Sequence, residues 1–131
     1  MSNIRLIHGE CITEMKKLID ENIKVDLILT DPPYGTTACK WDTIIPFDEM
    51  WSCINELSDE QTPCLLFGSE PFSTYLRMSN IKNYRDDWIW DKQIGTGIFT
   101  RKYQPLNNYE TIGVFYHKAG QYYPIMEKAE E

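Results

Sequence analysis

The chain has 131 residues, 42% of them hydrophobic, which suits one domain with a real core and leaves little room for a second. Thirteen basic against twenty acidic residues give a net charge of −7, so the chain as a whole is a poor polyanion binder and any nucleic-acid contact is local or supplied by a partner. No apolar stretch nears the roughly 20 residues that span a bilayer, and the N-terminus lacks the pattern of a signal peptide, so a cytoplasmic protein is expected.

Ile4 to Ile7 reads as a short apolar strand ended by His8-Gly9, and Cys11 to Asn22 then places Ile12, Met15, Leu18 and Ile19 on one helical stripe. Val25 to Thr30 is a nearly unbroken apolar run, the pattern of a parallel strand covered on both faces, and it stops at Asp31-Pro32-Pro33-Tyr34-Gly35. After a polar connection, Pro46 to Leu57 puts Phe47, Met50, Trp51, Ile54 and Leu57 at helical spacing, and Cys64 to Phe67 follows as a buried strand. Ser69 suits the N-cap of a helix carrying Phe72, Tyr75 and Leu76, while Tyr84 to Trp90 and Tyr109 to Tyr116 read as two more strands. Trp51, Trp88 and Trp90 fall at core-facing spacings. Lys92 to Asn108, rich in Gly, Pro, Asn and basic residues, predicts a long mobile loop, and Glu127 to Glu131 a disordered acidic tail. Strands alternating with helices of about ten residues predict an α/β fold whose first strands are parallel, with sites at the strands' C-terminal ends. Asp31 to Tyr34 falls at such an end.

Two consecutive prolines remove two backbone donors and fix an extended, rigid path, while their carbonyls stay free to accept. A carboxylate, a proline carbonyl and an aromatic ring in one rigid loop suit a planar amine: two acceptors for its N–H groups and a face to stack on. The exocyclic amino group of an extruded adenine is such a group. The same residues also suit a proline-rich turn in which Asp31 caps and Tyr34 packs, and the residues alone leave both open.

Val25-Asp26-Leu27-Ile28-Leu29-Thr30-Asp31-Pro32-Pro33-Tyr34-Gly35 resembles the catalytic strand and loop of the DNA amino-methyltransferases, which transfer a methyl group from S-adenosylmethionine (SAM) to adenine N6 or cytosine N4. In that family an Asp in first place is more often found with adenine. Leu6-Ile7-His8-Gly9-Glu10-Cys11 is similar to the preceding strand and turn, where the acidic residue near the cofactor's adenine usually is Asp and here is Glu10. Trp88 to Lys92 and Tyr109 to Tyr116 resemble later strands of the family, so the likeness runs from Ile4 to Pro124.

The resemblance implies the N-terminal catalytic half of such an enzyme: a partial Rossmann-like methyltransferase sheet over residues 1–126, followed by the tail at 127–131. It implies that Asp31 accepts from the target amine, that the Pro32 carbonyl is the second acceptor, that Pro33 fixes the loop and that Tyr34 stacks on the flipped base. Glu10, Cys11 and Asp31 would lie near SAM. In this arrangement the family's cofactor-binding strand and glycine-rich turn follow the catalytic half, and they are expected to be missing here, as is the target-recognition segment. Asp91 followed by Gly95-Thr96-Gly97 is superficially like that turn, yet Ile98 to Asn108 carries Pro105 and no helical stripe, so a flexible glycine loop is expected instead. The implied function is a truncated or split DNA adenine-N6 methyltransferase of the restriction–modification type, reaching DNA with a complementing subunit or as a homo-oligomer. Alone it would bind SAM weakly or not at all and be inactive. The alternative is a non-enzymatic remnant that binds a protein or a ligand.

Other chemistry is weakly represented. Lys92, Arg101 and Lys102, interleaved with Phe99 and Tyr103, suit DNA-backbone contacts and base stacking, and equally a solvated surface. His8 and His117 are far apart, and Cys11, Cys39, Cys53 and Cys64 form no close pair, so neither a metal site nor a disulfide framework is predicted.

Overall fold

Helix α1 (Cys11–Asp20) is the first regular element of the computed structural model, which describes residues 3–127. Glu10 is its N-cap, and its carboxylate accepts from the backbone N–H of Ile12 at 3.0 Å and of Thr13 at 2.8 Å and from the Thr13 hydroxyl at 2.7 Å. These bonds satisfy donors that a helix start leaves without intrahelical partners. The helix ends in a Schellman arrangement around Asn22, at φ +59°, with Ile23 N–H donating to the Leu18 carbonyl and Asn22 N–H to that of Ile19. Residues 128–131 of the acidic tail lie outside the described residues.

The chain continues through β1 (Ile28–Thr30), α2 (Phe47–Leu57), β2 (Cys64–Gly68), α3 (Phe72–Ser79), β3 (Tyr84–Thr96), a 3-10 turn (Ile98–Thr100) and β4 (Asn107–Phe115). The four-stranded sheet has the order β1-β2-β4-β3. β1 runs parallel to β2, and β4 runs antiparallel to both β2 and β3. The fold class is therefore α/β, as predicted, with a mixed sheet. All three helices contribute to one core cluster, in which Ile12, Trp51, Ile54, Phe72 and Leu76 meet Leu66 and Phe115 of the sheet. The alternate strand residues, Leu65, Ile112 and Val114, form a smaller second cluster to which no helix contributes.

Several expectations need correction. Ile4 to Ile7 forms no strand, and Ile4 and Leu6 are 80% and 92% exposed; a strand requires a hydrogen-bonded neighbour, and no described segment lies beside it. β1 is only three residues long, and Leu27 and Leu29 are more than half exposed rather than covered. The apolar run foretold its parallel pairing, but a second covering layer on that face is not among the described residues. α3 begins at Phe72 with Pro71 as its N-cap, and Ser69 only lends its carbonyl to the Ser73 N–H. Tyr75 of that helix is exposed.

The largest departure is the segment expected to be a loop. β3 runs on to Thr96 and β4 starts at Asn107, so both ends of Lys92 to Asn108 belong to the strands of an antiparallel arm and Gly97 to Leu106 form its tip. Trp88 and Trp90 lie on it half-exposed, and only Trp51 enters the core. Antiparallel strands tolerate one solvated face, and spacing alone cannot tell which face is covered. The register shows where the arm points. Thr111 of β4 pairs with Gly68, the last residue of β2, while Glu110 and Tyr109 pair only with Trp90 and Asp91 of β3. The arm therefore projects past the C-terminal end of β2, the end at which β1 delivers Asp31.

Candidate active site

β1 ends at Thr30, and the chain then passes through Asp31, exposed, Pro32, buried, and Tyr34, half-buried. The Tyr34 ring stacks on Phe72 of α3, with centroids 5.0 Å apart and planes at 29°, and Phe72 in turn meets Phe47 at 5.8 Å. The core thus holds one face of the tyrosine. Its hydroxyl donates to Asp31 Oδ1 at 2.7 Å. Burial, and then the neighbouring Asp31 carboxylate, push the Tyr34 hydroxyl well above its ordinary titration range, so it stays a donor. Asp31 Oδ2 and the Pro32 carbonyl accept no hydrogen bond among the described residues. Two acceptors are thus left for a ligand.

Gly35 follows at φ +68°, and a Cβ there would come within 2.9 Å of Ile44 Cγ1, so both the conformation and the close approach call for glycine. The next turn is folded around Asp42. This buried carboxylate accepts from Gly35 N–H at 2.8 Å and from Thr37 N–H at 2.6 Å. The Thr37 hydroxyl and N–H, with a further contribution from Gly35, hold its pKa below the ordinary range. The loop bends back and sets Trp41, 74% exposed, on the wall of a cleft of about 320 Å³ lined by Asp31, Pro32, Pro33, Tyr34, Thr36, Thr37, Trp41 and Asp42. That volume is at the small end of ligand pockets and suits a single planar heterocycle.

All four residues singled out from Asp31 to Tyr34 line this cleft. Glu10 and Cys11 do not. The Glu10 carboxylate is engaged at the start of α1, and Cys11 Sγ lies 3.7 Å from it. Lys92 is paired with Glu110, whereas Arg101 and Lys102 sit exposed at the end of the arm, away from the cleft lining. Thr36, Thr37, Trp41 and Asp42 were missed in the sequence; the available signal was a lone tryptophan beside an aspartate in an otherwise polar connection.

The capping bonds of Glu10 have a pH signature. The Thr13 hydroxyl, then the Thr13 and Ile12 N–H groups, lower its pKa from 4.5 to about 2. A depressed folded-state pKa means that the cap stabilises fully above the ordinary value and loses its contribution as the pH falls through the folded one. Protection of the Ile12 and Thr13 amides, measured against their intrinsic exchange rates, should therefore fall between about pH 4.5 and 2, and Glu10→Gln should remove that pH dependence. An unchanged acid profile in the Glu10→Gln protein would contradict the capping role.

No family model matches the sequence, and no curated protein matches it significantly. Solved structures do match. M1.HpyAVI in complex with SAM superposes with a TM-score of 0.69 at 19% sequence identity, over 95% of this chain and 60% of that one. A second crystal structure of M1.HpyAVI gives a TM-score of 0.67 at 20% identity, over 95% of this chain and 63% of that one. The chain thus has a methyltransferase-like fold and spans less than two thirds of the solved proteins it resembles.

Proposed function

We propose that the chain is the catalytic half of a SAM-dependent DNA adenine-N6 methyltransferase, with Asp31 to Tyr34 as the site for the target amine. One observation carries the reading. Asp31 Oδ2 and the Pro32 carbonyl accept no hydrogen bond among the described residues, and Asp31 and Pro32 line one cleft with Tyr34 and Trp41. The fold shared with M1.HpyAVI, a SAM-dependent DNA methyltransferase, supports it. An adenine extruded from its stack brings two N–H donors on N6. Donated to Asp31 and Pro32, they hold the nitrogen in place and leave its lone pair pointing away from the acceptors. The amine is then the nucleophile, and no covalent bond to the protein is needed. Tyr34 supplies the stacking face and Pro33 keeps the loop rigid.

Gly95 to Gly97 are not built as the helix-opening turn that would cradle SAM. Gly95 and Thr96 belong to β3, and Gly97 precedes a 3-10 turn of only three residues rather than a helix that would hold the cofactor's polar groups. In this reading SAM is held by a further segment. The test is tritium transfer from labelled SAM to DNA by the chain joined to, or mixed with, a SAM-binding half. Incorporation should require both parts. Robust incorporation by the chain alone would overturn the two-part reading, and none by the combined parts would overturn the enzyme.

A second reading, a binding module without activity, is favoured by the exposure of Leu27 and Leu29 at β1, an edge strand of the sheet, together with the exposed Ile4 and Leu6 near the start of the chain. On either reading something covers this surface. Sedimentation at high micromolar concentration should show self-association, or association with the complementing half when it is present. A strictly monomeric chain that ignores that half would count against both.

A further inference from the structure

We infer that the tip of the β3–β4 arm, Phe99 to Tyr103, is a contact for an unstacked DNA strand, with Arg101 and Lys102 on the phosphates and Phe99 stacking on a base. The inference rests on DNA as the substrate and adds where the strand is held. Position is the first observation. The arm extends beyond the last residue of β2, past the same end of the sheet as the cleft, so both project on the side from which a strand would deliver a base to Asp31.

The second observation is the surface. Phe99 is 101% exposed and Tyr103 90% exposed, although rings of this size are normally covered. The turn that carries them is firmly built: Thr100 N–H and hydroxyl both donate to the Gly97 carbonyl at 3.0 Å, and Tyr103 N–H donates to that of Thr100 at 2.8 Å. Gly97 enters it at φ +91°. The third observation is charge. Lys92 is neutralised by Glu110, but the adjacent Arg101 and Lys102 have no ion-pair partner among the described residues. A chain with net charge −7 therefore presents two neighbouring free cations beside an uncovered ring. Basic residues interleaved with stacking aromatics form the sequence-tolerant surface that single strands prefer.

The two contributions separate in one experiment: anisotropy of a short labelled single-stranded oligonucleotide titrated with the full chain over a range of salt. Removing both cations, Arg101→Ala with Lys102→Ala, should flatten the dependence of log affinity on log salt by about 1.4, since each single-strand phosphate contact contributes about 0.7. Phe99→Ala should lower affinity roughly five- to hundredfold with the slope unchanged, and Phe99→Trp should restore it. All three side chains are exposed, so the variants should melt with the parent chain. Variants that bind like the parent, or an absence of salt-sensitive binding, overturn the inference. So does equal displacement of the oligonucleotide by an acidic peptide, which would make the tip a general anion contact. Because the readout is binding, tip-dependent affinity without methyl transfer would refute the enzyme reading alone.

Discussion

Asp31→Ala is expected to lower the rate of methyl transfer by the two-part enzyme about a hundredfold to a thousandfold. Alanine removes a positioned acceptor, and interactions of that kind are worth about 2 to 4 kcal/mol in the transition state. The effect should fall on the rate constant rather than on DNA affinity, because Asp31 orients the amine and carries no attraction for phosphate. Tyr34→Ala should cost less, about 1 to 3 kcal/mol, since it deletes a stacking face and leaves both acceptors. Tyr34→Phe keeps the ring on Phe72 and removes only the hydroxyl that occupies Asp31 Oδ1, so it should retain far more activity than the alanine variant. Single-turnover rates check the series. Full activity in Asp31→Ala would remove the loop from the chemistry.

Phe115→Ala is expected to destabilise the fold by about 3 to 5 kcal/mol, the usual cost of deleting a buried aromatic ring. Phe115 is 1% exposed, with its ring centroid 4.9 Å from that of Trp51 and 5.7 Å from that of Tyr84. It joins α2 to β3 from the end of β4, so three elements lose a shared neighbour at once. Domains of this size are stable by only about 5 to 15 kcal/mol, so the variant should lose a large fraction of its total stability. The midpoint of urea unfolding measures this. A loss under about 1 kcal/mol would mean that the cluster closes over the cavity and is not the centre of the fold.

Much of the architecture was legible because local chemistry decides it. The stripe of Ile12, Met15 and Ile19 forms α1, the spacing of Met50, Trp51, Ile54 and Leu57 forms α2, and the apolar Cys64 to Phe67 becomes the central β2. Asp31 to Tyr34 stood out because two prolines in succession end a strand wherever they fall. What was not legible depends on partners distant in sequence. Ile4 to Ile7 has the composition of a strand, but composition cannot supply the neighbour. Trp88 and Trp90 have core spacing, yet among the described residues no layer covers them and they stay about half exposed. The cleft wall formed by Trp41 exists because Asp42 draws the loop back onto the Gly35 and Thr37 N–H groups, a closure no periodicity announces. Glu10, which the family resemblance sets beside a cofactor, also caps α1, because a side chain one methylene longer than Asp still reaches the Ile12 and Thr13 donors.

If Asp31 and the Pro32 carbonyl receive the exocyclic amine of adenine, the methylated nucleoside is an N6-methylated adenine. DNA labelled by the two-part enzyme with tritiated SAM is digested to nucleosides and separated. The label should appear in N6-methyladenine and be lost in the Asp31→Ala protein; label in N4-methylcytosine, or on a ring carbon of either base, would contradict that role of the loop.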